Sequence, residues 1–353
     1  MQNLFCLSIF NNSCTHNEKS ITNRPKNVIL FIGDGMGLAE VYASMSRCAQ
    51  PLNIQKFPII GLVKTYSSDN YITDSGAGAT AYSAGVKTKN GSLGVDSTGK
   101  SVELITEQVK TNGMATGIVV TCSITHATPA GFVAHVASRD SDELIARYYL
   151  NNTIDVVIGG GRNFFNERHD GINLLDSLKK LGYSIAVNID SLKNVDSRFF
   201  CLYAGKHPDP VSQGRGDVLA RSVKIAIEIL SKNKNGFFLM VEGSQIDWGG
   251  HANNIDYVTD EMIDMDNAIG TAFTYAEKAG NTLVVVTADH ETGGLSINGG
   301  NMKTRQIQTS FATKGHSAIM VPLFAYGPGA FQFSGIYENT EVNHKIKKAL
   351  NLN

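Results

Sequence analysis

The chain has 353 residues, 42% of them hydrophobic and 18% charged, enough to bury a large core in one or two α/β units. Its 31 Lys and Arg offset 32 Asp and Glu for a net charge of −1, which gives no electrostatic ground for a nucleic-acid partner or an anionic membrane surface. The five cysteines, Cys6, Cys14, Cys48, Cys122 and Cys201, show no C-x-x-C spacing, so neither a disulfide framework nor a thiolate metal site is expected. No apolar run is long enough to cross a bilayer.

Residues 1–22 carry an apolar patch, Leu4 to Phe10, ahead of Ser13 and Cys14, without the basic start of a signal peptide. Two readings stay open for them: a leader, with Cys14 as a site of lipid attachment, or a disordered terminus. The first strong element is "NVILFIGDGMG". Val28 to Gly33 reads as a buried strand that stops at Asp34, followed by Gly35 and Gly37. An aspartate there is either a turn former or a carboxylate held at a strand end for a ligand.

"TDSGAGATAYSAG" comes next, with Ser75 opening a helix of small residues. As structure alone, Ser75 is an N-cap. As chemistry it is a nucleophile beside a helix N-terminus that favours an anion. A serine hydroxyl needs a base or a metal to become nucleophilic, and the chain offers no G-x-S-x-G turn and no evident serine–histidine–aspartate triad.

Further apolar runs follow at Thr116–Thr121, Asp155–Gly160, Phe237–Gly243, Thr282–Asp289 and Val321–Gly327. Amphipathic helices are predicted over Gly216–Lys232 and Ile255–Lys278. Continuous rather than alternating hydrophobicity marks parallel strands covered on both faces. The expected fold is therefore α/β: three layers, doubly wound, with a mostly parallel central sheet and helices on both faces. No repeat or linker divides the chain, so 23–353 reads as a single domain.

Three of these strands end in acids: Asp34, Glu242 and Asp289, the last followed by His290. Open α/β sheets bind ligands beyond the carboxyl ends of their strands. Carboxylates converging there repel one another unless cations intervene. "DWGGH" adds Asp247 and His251 four residues apart, and "GHS" adds His316. Carboxylate with imidazole suits zinc or a similar borderline cation. His16, His169, His207 and His344 lack acidic companions and read as structural or surface groups.

Six motifs in order, "GDGMG", "TDSGAGATA", "THATPAGFVAHVASR", "VEGSQIDWGGHANN", "VTADHETGG" and "GHSAIMVPLFAYGP", span nearly the whole chain. Together they resemble the bacterial metal-dependent alkaline phosphatases. The resemblance implies hydrolysis of phosphate monoesters through a phosphoserine on Ser75, with two zinc ions and one magnesium. One zinc would be held by Asp34, Asp289 and His290 with Ser75, the other by Asp247, His251 and His316. Magnesium would sit on Asp34, Thr128 and Glu242. Arg139 matches the substrate-binding arginine, whose fork suits two phosphate oxygens. Without that motif it reads as a surface residue paired with Asp140 or Asp142.

His126 and Trp248 fall in substrate- and magnesium-facing slots that differ between branches of the family, and His135 reads as a supporting residue without a metal. The resemblance also implies a homodimer, a periplasmic or extracellular location, and only a short crown-like insertion between His290 and His316. Alternatives carried with it are a phosphodiesterase of the same superfamily and a non-catalytic metal- or phosphate-binding protein. A sulfatase is excluded because Ser75 is followed by Gly-Ala-Gly-Ala. A phosphoglycerate mutase is excluded because Ser75 to Arg139 leaves no room for its inserted domain.

Overall fold

Apolar runs bounded by glycine and polar turns become strands here because both faces of the sheet are covered, and β-branched and aromatic side chains fill that interior. The structure is a computed structural model that describes residues 24–194 and 198–352. The leader reading of 1–22 and the attachment reading of Cys14 lie outside the described residues.

In chain order the first strands are β1 (Asn27–Gly33), β2 (Ile59–Lys64), β3 (Ala115–Ser123), β4 (Val156–Gly160), β5 (Ser184–Ala186) and β6 (Phe199–Leu202). Next come β7 (Phe237–Gly243), β8 (Thr282–Thr287), β9 (Glu291–Thr292) and β10 (Leu295–Asn301). The last are β11 (Gln306–Phe311), β12 (His316–Ser317), β13 (Val321–Tyr326) and β14 (Gly335–Glu338). Ten of them form one sheet in the order β14-β2-β13-β8-β1-β7-β3-β4-β6-β5.

β1 lies near the middle, parallel to β7 and β8, with Ile32 level with both Glu242 and Thr287. That register delivers Asp34, Glu242 and Asp289 to one edge. Val28 to Ile32 are fully buried, worth about 1.5–3 kcal/mol for each side chain. Burial on that scale offsets the cost of holding the ionisable Asp34 in the same interior.

One predicted strand runs the other way. Val321–Gly327 was expected among the parallel strands, but β13 is antiparallel to both β2 and β8. An apolar run reports that both faces are covered and carries no information on direction. The reversal has a structural consequence: the start of β13 lies at the edge where β2 and β8, both antiparallel to it, end, so His316, just before it, arrives there too.

The predicted helices appear as Val218–Leu230 and Ile255–Ala279, which pack on each other and on the sheet. Asn254 caps the second by accepting from the Asp256 and Tyr257 amides, and Gly280, at φ +69°, ends it. Elsewhere the Ser75–Ala84 helix packs against the C-terminal helix, Asn339–Leu350. Between His290 and His316 the chain forms only short β9 and the antiparallel β10–β11 hairpin, whose outer residues are largely exposed.

Candidate metal centre and active site

The residues after β1 explain the glycines of "GDGMG". The Asp34 amide donates to the Gly243 carbonyl at 3.2 Å, tying the end of β1 to the end of β7. Gly35 has φ +76°, and a Cβ there would lie 2.7 Å from the Asp247 Cα. Its amide donates to Asp289 Oδ1 at 3.2 Å. Only glycine allows both that backbone conformation and that approach.

Asp34, Asp289 and His290 form one group, all fully buried, with donor atoms within 4.8 Å of one another. His290 Nε2 lies 3.5 Å from Asp34 Oδ1 and 3.2 Å from Asp289 Oδ2. Asp247, His251 and His316 form a second group. Asp247 and His251 share the short Ile246–His251 helix four residues apart, and Asp247 Oδ1 lies 3.3 Å from His251 Nε2 and 3.6 Å from His316 Nε2. The His290 and His316 rings stack with centroids 3.5 Å apart, so the two groups adjoin.

Backbone carbonyls orient two of these imidazoles. His251 Nδ1 lies 2.5 Å from the Lys314 carbonyl and His316 Nδ1 lies 2.9 Å from the Thr73 carbonyl. A carbonyl only accepts, so each Nδ1 donates its proton there, which turns each Nε2 toward the cluster. Thr292, which sequence reasoning passed over, donates its hydroxyl to Asp247 Oδ1 at 2.5 Å and lies 3.2 Å from His290 Nδ1.

Ser75 begins the Ser75–Ala84 helix, almost fully buried, with Oγ 3.3 Å from His290 Nε2. The cap, however, is Asp74 rather than Ser75: its Oδ1 accepts from the Ala77 amide at 2.9 Å. Asp74 Oδ2 also receives Arg139 Nη1 at 2.9 Å. Arg139 thus pairs with neither Asp140 nor Asp142. Its Nη2 lies 3.4 Å from His126 Nε2. Asp74 immediately precedes Ser75, and that adjacency was the one available sequence signal for its role.

Thr128 and Glu242 are fully buried beside Asp34. Thr128 Oγ1, Glu242 Oε1, Asp289 Oδ2 and both carboxylate oxygens of Asp34 have no hydrogen-bond partner. Orphaned buried carboxylate oxygens are costly unless protonated or bound to a cation. Burial, then Asp289, Asp247 and Glu242, pushes the Asp34 carboxyl well above its ordinary value. Burial, then Asp247 and Glu242, pushes Asp289 up to about 8. Burial also raises Glu242 and, with His316, holds His290 well below the usual imidazole range. Asp247 goes the other way: burial pushes it up, but the His251 hydrogen bond and the charges of His290 and His316 outweigh that and lower it. Several buried acids with too few partners, beside three imidazoles, are a donor set suited to divalent cations.

Trp248, half-buried, places its ring 6.3 Å from His126 and 4.9 Å from His207. His207, which reads from sequence as a structural or surface group, lies at this edge, where its Nδ1 accepts from the Ser123 amide at 3.1 Å. Cys122 lies with Sγ 3.3 Å from Glu242 Oε2 and groups with His126 and Glu242; a spacing rule for paired cysteines does not see a single thiol delivered by a neighbouring strand. His135 hydrogen-bonds the Gly94 carbonyl at 2.7 Å and Glu107 at 3.1 Å.

A doubly wound sheet whose carboxyl edge gathers buried acids, imidazoles and a helix-initiating serine defines the class of α/β metallohydrolases. Residues 25–309 and 299–352 match the family model described as alkaline phosphatase. Alkaline phosphatase 3 of Bacillus subtilis is 34% identical over 97% of this chain and 92% of its own length. The alkaline phosphatase of Escherichia coli K12 is 33% identical over 94% of this chain and 88% of its own. The solved alkaline phosphatase from the Antarctic bacterium TAB5 is 43% identical, with a TM-score of 0.90 over 94% of this chain and 99% of that one. A histidine-to-glutamate variant of that enzyme was solved with magnesium in its M3 site. The chain belongs to the alkaline phosphatase family, and it hydrolyses phosphate monoesters. Among the described residues no helix is long and apolar enough to cross a membrane.

Proposed function

We propose that hydrolysis runs through a covalent phosphoserine on Ser75, at a site built for two zinc ions and one magnesium. Asp34, Asp289 and His290 would hold one zinc and Asp247, His251 and His316 the other. Asp34, Thr128 and Glu242 would hold magnesium, making Asp34 common to two ions. The donor types fit: carboxylate with imidazole for zinc, and oxygen alone for magnesium. When bound, the ions supply Lewis-acid charge to the entering and leaving oxygens and to the serine hydroxyl.

Ser75 Oγ forms a bond to phosphorus as the ester P–O bond breaks; its proton passes to solvent, and the departing alcohol takes one up. Water then attacks the phosphoserine, the P–Oγ bond breaks, and Ser75 regains its proton. Arg139, steadied by Asp74, grips two non-bridging oxygens with its guanidinium fork. The amides at the start of the Ser75 helix face the same charge. Trp248 and His126 border the phosphate. Because recognition centres on phosphate, the leaving group is loosely selected, and monoesters are turned over faster than diesters.

The observation that carries this reading is Ser75 Oγ at 3.3 Å from His290 Nε2, against carboxylate oxygens that lack partners. Mass spectrometry of enzyme acid-quenched during turnover is expected to find phosphate on Ser75. Ser75→Ala is expected to lower kcat by roughly three orders of magnitude, as with other covalent nucleophiles. A variant that kept most of its turnover would remove the covalent step. By analogy with the family, the enzyme acts as an exported, periplasmic or extracellular homodimer, which fractionation and size-exclusion chromatography test.

A further inference from the structure

Glu242 presents its two carboxylate oxygens to different surroundings. Oε1 has no hydrogen-bond partner, whereas Oε2 lies 3.3 Å from Cys122 Sγ. Cys122 is fully buried on β3, the strand that pairs with β7 and sets Val120 level with Glu242. Four residues on, His126 stands at the start of the Ala127–Ala130 turn of helix, with Nδ1 buried and unpartnered. Donor atoms of Cys122, His126 and Glu242 all lie within 4.8 Å of one another. An ion with bonds of roughly 2.0–2.3 Å would draw these donors closer together.

A buried cysteine is most often a small hydrophobic group. This one faces a desolvated carboxylate, and a single S–H donor satisfies only one of that group's two oxygens. Sulfur, imidazole nitrogen and carboxylate oxygen together select borderline cations such as zinc and cobalt; magnesium takes oxygen ligands.

We propose that Cys122, His126 and Glu242 form a mixed-donor cation subsite that takes zinc or cobalt in competition with magnesium for Glu242. The inference rests on the proposed metal reading, with which it shares this carboxylate and whose two imidazole-bearing sites fill first. Binding breaks the Cys122 S–H bond: the sulfur keeps the electron pair and donates it to the cation, the proton leaves to solvent, and nothing is oxidised. His126 enters as a neutral imidazole through Nδ1. Zinc in excess therefore displaces magnesium from this chain, and magnesium in excess displaces zinc.

The probe is cobalt alone, titrated into the metal-stripped full chain. Bound ions are counted by equilibrium dialysis with elemental analysis, and a cobalt–thiolate bond is read from its near-ultraviolet charge-transfer band. In the wild type the band is expected to rise with the third ion and to fade as magnesium is added. Cys122→Ser is expected to take the first two ions unchanged, to lack the band, and to bind the third about tenfold or more weakly. Cys122→Ala, checked by circular dichroism, repeats the comparison should the serine variant fold poorly. Three bound cobalt ions with no band in the wild type overturn the inference, as does a band that survives in both variants. Loading that stops at two cobalt ions overturns it as well; dialysis against magnesium then separately shows whether the Asp34, Thr128 and Glu242 pocket stands.

Discussion

Removing the cations should make the stability of this chain fall with rising pH, and Asp289 shows the size of one contribution, with Asp34 and Glu242 acting in the same direction. Its buried carboxyl is pushed up to about 8, by burial first and then by Asp247 and Glu242, against an ordinary value near 4 in the unfolded chain. The folded chain therefore holds an extra proton between those values. The stability this confers is complete below about pH 4 and is lost as pH rises through about 8. A difference of about four units corresponds to on the order of 5 kcal/mol, set against a typical total of roughly 5–15 kcal/mol. His251, raised to about 9 chiefly by its hydrogen bond to Asp247, acts in the same direction, though its exposure makes the contribution small. Asp247 is lowered, so its contribution is already complete above the ordinary carboxylate range and stays constant through neutral and alkaline pH.

Urea denaturation of the chelator-treated chain at about pH 5, 7 and 9 should show a loss of several kcal/mol. Asp289→Asn should reduce that slope, leaving the part due to Asp34 and Glu242. Restoring zinc should reverse it, because the ion binds the deprotonated ligands. A metal-free chain whose stability is flat, or rises, between pH 5 and 9 would refute the reasoning that these acids form one strained cluster.

Three further outcomes follow from particular contacts. Asp74→Ala removes the cap on the Ala77 amide and the anchor of Arg139. It should cost about 1 kcal/mol of stability and raise both KM and the inhibition constant of inorganic phosphate more than it lowers kcat; unchanged phosphate affinity would separate Arg139 from Asp74. Trp248 is the sole tryptophan and adjoins Asp247 and His207, so zinc titration should change its fluorescence, and an unaltered spectrum at saturation would count against the placing of that helix. Gly35→Ala meets both a φ of +76° and the Asp247 backbone, and should cost about 2 kcal/mol or more in urea denaturation; a neutral substitution would contradict the geometry.

Long apolar runs made the central strands legible, since covering both faces requires unbroken hydrophobicity. Short or edge strands were not legible. β5 is three residues long and β6 four, while β2 mixes buried, half-buried and exposed positions; none of them stands out from loops by pattern. The direction of β13 was equally hidden. At the site, acids at strand ends were visible because a charged residue after a buried run is unusual, and the family motifs supplied the grouping of ligands. What escaped were residues defined by tertiary proximity. Thr292 reaches Asp247 across 45 residues, Cys122 reaches Glu242 across 120, and His207 meets the Ser123 amide across 84. None of these partners shares a local pattern with the other.

The central claim is that one sheet edge is a cation cage around Ser75. Anomalous scattering at the zinc edge, from a crystal of the full chain grown with zinc and excess magnesium, tests it most directly. The account predicts two zinc peaks, one among Asp34, Asp289 and His290 and one among Asp247, His251 and His316, with a lighter ion beside Thr128 and Glu242. Zinc peaks lying elsewhere, or none between those side chains in an active crystal, would contradict it.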